Sequence, residues 1–159
     1  MEANRQVQFD GSRTQRANRL ENESLNFLRE AYHAMRRHRL EILRGFDLSF
    51  SEYTTLQVCT GAPAMPSEIA EAAGVTSAGA TDIIDRLEKR HLVTRLSHPR
   101  DRRAVLVALT ASGRRLYEEA RLAQRTRFQQ VRQQMTPGER EALMVGLTAL
   151  VRCLGPAPS

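Results

Sequence analysis

The 159-residue chain has few cysteines, a single lysine and no long hydrophobic run. Its two cysteines, Cys59 and Cys153, make neither a disulfide framework nor a zinc site by spacing. The longest apolar stretch, Ala142 to Val151, is interrupted by Gly146 and Thr148, well short of the roughly 18 residues that spanning a bilayer needs. The opening residues, MEANRQVQFDGSRTQRANRLENES, lack the apolar core of a secretory signal. A cytoplasmic protein without a membrane segment is expected. Also missing are a G-x-S-x-G elbow, a glycine-rich phosphate loop and paired carboxylates, so no enzyme is expected. His33, His38, His91 and His98 show no ligand spacing, and no metal or cofactor is expected.

What is present is a globular composition, 41% hydrophobic and 26% charged, which argues against a disordered chain. Cations outnumber acids 24 to 18, and every cation but Lys89 is an arginine. Arginine suits planar contacts to phosphate and base edges, although a GC-rich genome produces the same bias. Position therefore matters more than amount. Residues 51–110 are neutral as a whole, seven cations against seven acids, yet Arg95 to Arg103 holds four arginines and one aspartate.

Residues 1–20 are polar and without periodicity, and read as a flexible arm. From there Leu28, Tyr32, Met35, Ile42 and Phe46 recur at helical spacing, the stripe of a long first helix over 21–48 that ends near Gly45. Ser49-Phe50-Ser51-Glu52 is a capping box opening a short helix through Tyr53, Leu56 and Cys59. Ile69, Ala70, Ala73, Gly74, Val75, Ala80 and Ile83 then form a helix–turn–helix pattern. Gly74 takes the turn, Val75 plugs the core, and Thr76 caps the second helix. Val93–Leu96 and Ala104–Leu109 alternate as strands around the polar turn Ser97 to Arg103. The fold class is mainly α with a small β-hairpin wing: a winged helix–turn–helix domain over 49–110. Thr110 caps a very long helix, Ala111 to about Met135. Thr136-Pro137-Gly138-Glu139 opens a last one, striped by Leu143, Leu147, Leu150 and Leu154. Residues 111–155 read as dimerisation helices and 156–159 as a tail.

The run Ile83-Ile84-Asp85-Arg86-Leu87-Glu88-Lys89-Arg90-His91-Leu92-Val93, followed by Pro99-Arg100-Asp101-Arg102-Arg103 and Leu109-Thr110, resembles the MarR family of bacterial transcriptional regulators. The likeness covers about residues 25 to 154 and includes a D-x-R wing motif with L-T six residues after the arginine. It implies a homodimer built from the first and last helices and bound to a pseudo-palindromic operator in double-stranded DNA. It further implies repression, and release when a small aromatic or lipophilic effector binds. The apolar stripes of the terminal helices agree, since a winged helix this small cannot cover them alone. Two features depart from the family: Asp82 stands where a cation is common, and the first 20 or so residues exceed the core length.

On this reading Thr76, Ser77, Ala78, Thr81 and Asp82 meet bases, and Arg86 and Lys89 reach phosphate. Asp82 and Asp85 accept from cytosine, orient an arginine, or face solvent. Arg100, Arg102 and Arg103 load the wing tip, with Arg103 by its motif position entering the minor groove. Asp101 braces the hairpin by accepting hydrogen bonds from its arginines or turn amides. The resemblance places an effector between the first helix and the winged domain, with Tyr32, Met35 and Tyr53 as candidate lining. Two rival readings stay open: a helical interaction module that never touches DNA, and a redox-sensing regulator using Cys59 or Cys153.

Overall fold

The computed structural model describes residues 11–101 and 104–155. The chain divides into two units, residues 1–41 and 42–159. Helix α1 runs Gly11–Arg44, and the first unit holds its residues up to Glu41. It starts at Gly11 rather than near residue 21. Nothing in 11–20 breaks a helix, since the segment holds no proline, and Arg19 pairs with Glu23 one turn on at 2.8 Å. A helix with no apolar face has no periodicity to read. Leu25, Phe27, Leu28, Tyr32 and Met35 are exposed along it. Residues 1–10 of the expected arm, and the tail 156–159, lie outside the described residues.

In the second unit follow α2 (Phe50–Val58), α3 (Pro66–Ala73), α4 (Ser77–Lys89), β1 (Val93–Ser97), β2 (Val105–Leu109), α5 (Ala111–Gln133) and α6 (Pro137–Leu154). Each start has a local cause. Ser49 Oγ accepts from the Glu52 amide at 3.2 Å while Glu52 accepts from the Ser49 amide at 2.8 Å. Thr76, Thr110 and Thr136 cap α4, α5 and α6 through the amides of Gly79, Gly113 and Glu139. Gly74, at φ 64, takes the left-handed position that ends α3 and turns the chain into α4.

The core lies where α2, α3, α4 and the hairpin meet. Leu43, Leu56, Ile69, Ile84, Leu87, Val93 and Val107 are essentially inaccessible to solvent, and truncating such a leucine to alanine costs about 2–5 kcal/mol. Val75 is half-buried at the edge of this cluster rather than a plug in its centre. β1 and β2 pair antiparallel with Arg95 opposite Val107. Val107 exchanges both backbone bonds with Ala64, at 2.9 and 2.8 Å, so the loop before α3 holds the outer side of β2. Thr110 ties the hairpin to α5: its amide donates to Leu92 O at 3.1 Å and its hydroxyl to His91 O at 2.7 Å. That is the physical content of the Leu109-Thr110 pair.

The terminal apolar stripes remain uncovered in a single chain. On α6, Met144, Val145, Leu147, Val151 and Leu154 are exposed, and none of that helix's residues is buried.

Candidate nucleic-acid interface

Helix α4 has two opposite faces. Ala80, Ile83, Ile84 and Leu87 are buried, which turns Thr76, Ser77, Ala78, Thr81 and Asp82 outward at its start, all exposed. The expected readers therefore share one surface. Two of their hydroxyls already have partners. Thr76 Oγ1 accepts from Gly79, and Thr81 Oγ1 donates to Ser77 O at 3.0 Å. Thr81 thus presents lone pairs and a methyl group rather than a proton, while the small Ala78 leaves room for close approach.

Further along α4, Arg86 and Lys89 are exposed beside an open cleft of about 620 Å³ that also takes in Ser49, Glu52 and Arg90. Burial would raise the Glu52 carboxyl. The Ser49 hydrogen bonds and the Arg90 and Arg86 guanidinium groups outweigh it and hold the carboxyl below the ordinary glutamate value. Arg86 Nε lies 3.5 Å from Glu52, and Arg90 donates to Asp47 O at 2.7 Å. Of these two, Arg86 keeps more than half its side chain in solvent, available to a phosphate.

Residues 51–105 match the MarR family model. The uncharacterised HTH-type transcriptional regulator YfiV of Bacillus subtilis (strain 168) is 35% identical over 92 residues, 55% of either chain. The chain thus spans about half the length of the curated relatives it matches. Among solved structures, RV1404 of Mycobacterium tuberculosis superposes with TM-score 0.70 and 27% identity over 88% of this chain and 95% of that one. The F27L mutant of Staphylococcus aureus MepR, bound to an oligodeoxyribonucleotide, gives TM-score 0.63 and 22% identity over 83% and 98%. The match to the MarR family model thus spans about a third of the chain. The two curated relatives, YfiV and YwaE of Bacillus subtilis (strain 168), are HTH-type transcriptional regulators.

The wing turn is partly in view. Arg100 is exposed, and Arg102 and Arg103 lie outside the described residues. Asp101 contributes backbone to the turn, its carbonyl accepting from Ala104 at 3.0 Å. His98 was not among the residues expected here, yet its Nδ1 accepts from the amides of Asp101 at 3.1 Å and Arg100 at 3.3 Å. A histidine beside a proline in a polar turn carries no signal of that role in its spacing. Asp85 pairs with an arginine, Arg95 of β1, at 2.5 Å, as one of its three readings has it. Arg95 therefore drops out of the wing's free positive charge.

Tyr53 is core, stacked on Tyr117 with ring centroids 5.3 Å apart, and Tyr32 and Met35 are exposed on α1. Cys59 is buried, and desolvation pushes its thiol up to about 11, far from the thiolate a redox sensor needs. Cys153 is exposed on α6. Among the described residues no group of three or more His, Cys, Asp or Glu is placed to hold a metal ion. No helix among them is long and apolar enough to cross a membrane.

Proposed function

We propose that this chain is a DNA-binding transcriptional regulator of the MarR family. It acts as a homodimeric repressor on a pseudo-palindromic operator in the cytoplasm. The observation that carries this is the outward surface of Thr76, Ser77, Ala78, Thr81 and Asp82 on a helix held from behind by the core. These residues enter the major groove, Arg86 and Lys89 meet phosphate, and the wing arginines Arg100, Arg102 and Arg103 follow the adjacent minor groove. The MepR mutant of the same fold is itself bound to an oligodeoxyribonucleotide, which supports DNA as the partner. A second copy covers the apolar residues of α1 and α6, and a small aromatic or lipophilic effector releases the DNA.

A gel shift on the DNA upstream of the chain's own gene tests the proposal. Specific binding should exceed binding to a scrambled duplex by about 10³-fold or more at physiological salt. Changing Ser77 and Thr81 together to alanine should reduce that ratio while leaving scrambled-duplex affinity in place. Equal affinity for both duplexes in the unmodified protein would refute the reading.

A further inference from the structure

The inner end of the wing is fastened to α4 through one side chain. Arg95 stands opposite Val107, and since Val107 turns its backbone groups away to Ala64, Arg95 turns its own off the free edge of β1. A strand N–H at a free edge needs a partner. Glu88 of α4 provides it, one carboxylate oxygen accepting the Arg95 amide at 3.1 Å. The other Glu88 oxygen accepts from the guanidinium Nη1, and Asp85 accepts from Nη2 at 2.5 Å. Arg95 is thus held at three points by two carboxylates one helical turn apart, a geometry that a planar guanidinium suits and an ammonium does not.

The location is the informative part. Ser77, Thr81, Asp85 and Glu88 follow one another at helical spacing, so the two carboxylates continue the stripe on which the readers lie. Acids there face the same polyanion. Partly exposed ion pairs contribute little to global stability, and these three side chains are between a third and a half exposed. Neither stability nor attraction to DNA accounts for them. We propose that Arg95, Asp85 and Glu88 are positioning residues that lock the wing to the recognition helix, so that the major-groove and minor-groove elements dock as one rigid reader. This rests on the DNA-binding reading above and adds to it which residues hold its two halves in register.

The decisive property is a sign. Asp85→Asn with Glu88→Gln removes two negative charges from the surface that meets DNA. Electrostatics alone predicts tighter binding to any duplex. The clamp predicts specific affinity lower by about tenfold, with affinity for scrambled duplex unchanged or higher and the melting temperature little altered. Arg95→Lys, which keeps the charge and loses the fork, should fall between wild type and the double variant. Amide hydrogen exchange without DNA supplies a second reading: the Arg95 amide should exchange faster in Glu88→Ala, which removes its acceptor, while the Val107 amide, bonded to Ala64, stays protected. Unchanged or tighter specific binding in the double variant, or an Arg95 amide that keeps its protection, overturns the clamp. If the unmodified protein shows no specific binding, the DNA reading fails on that ground alone, while the exchange experiment still judges the clamp.

Discussion

Replacing Gly113 by alanine sets helix propensity against a steric clash, and the clash should win. Gly113 lies in the first turn of α5, its amide donating to Thr110 Oγ1 at 3.0 Å. A Cβ there would stand 1.9 Å from the Leu92 carbonyl oxygen and 2.8 Å from its carbon. Both are backbone atoms, and the same oxygen accepts from the Thr110 amide, so no rotamer change relieves the contact. Alanine gains about 0.5–1 kcal/mol over glycine in a helix. Overpacking costs about 1–3 kcal/mol, and a backbone clash this close belongs at the upper end. The net loss of about 2 kcal/mol should lower the melting temperature by about 4–8 °C for a chain of this size. Thermal unfolding followed by circular dichroism, at one protein concentration, measures it. Gly138→Ala is the control, because a Cβ there meets nothing within 4 Å and the melting temperature should hold or rise slightly. A Gly113→Ala protein that melts at or above the wild-type temperature would refute the close approach of α5 to Leu92.

If a second copy covers the exposed apolar side chains of α1 and of α6, as proposed, sedimentation at micromolar concentration should give twice 18.0 kDa; a stable folded monomer would contradict the dimer. In a Cys153→Ser protein at pH 8, a thiol reagent should leave Cys59 untouched until the chain is unfolded, since burial keeps that thiol protonated. Prompt labelling of the native variant would revive the redox reading. Arg103→Ala should cost about 1–3 kcal/mol of DNA binding, measured by fluorescence anisotropy. Asp101→Ala should weaken binding as well, although it removes a negative charge; tighter binding would reduce the wing to a charged flap.

Features encoded within a few residues are legible in the sequence alone. The Ser49–Glu52 and Thr136–Glu139 boxes, the Gly74 turn and the Thr76 cap each need only neighbours three or four positions away, and each stands where the spacing placed it. The buried face of α4 followed from its 3.6-residue period in the same way. The start of α1 did not, because a polar helix leaves no periodic trace. The fate of Arg95 was hidden for a different reason. Its partners lie seven and ten residues back, across a turn at His91, whose φ of 55° only the folded backbone displays. Counting Arg95 with the wing's cations was natural from charge alone, and the geometry reassigns it. His98 is similar: its ring closes the wing turn by accepting two amides, which no spacing rule singles out.

Dimethyl sulfate probing of the protein on its upstream DNA tests the groove assignment most directly. The reagent methylates guanine N7 in the major groove and adenine N3 in the minor groove, so one experiment reads both contacts. Helix α4 in the major groove and the wing in the minor groove predict two patches of protected guanine N7 about 10 base pairs apart, or a small multiple, each flanked by protected adenine N3. Ser77→Ala with Thr81→Ala should erase the guanine pattern before the adenine one. Protection confined to the minor groove, or none on a duplex that the protein demonstrably shifts, would contradict a recognition helix at α4.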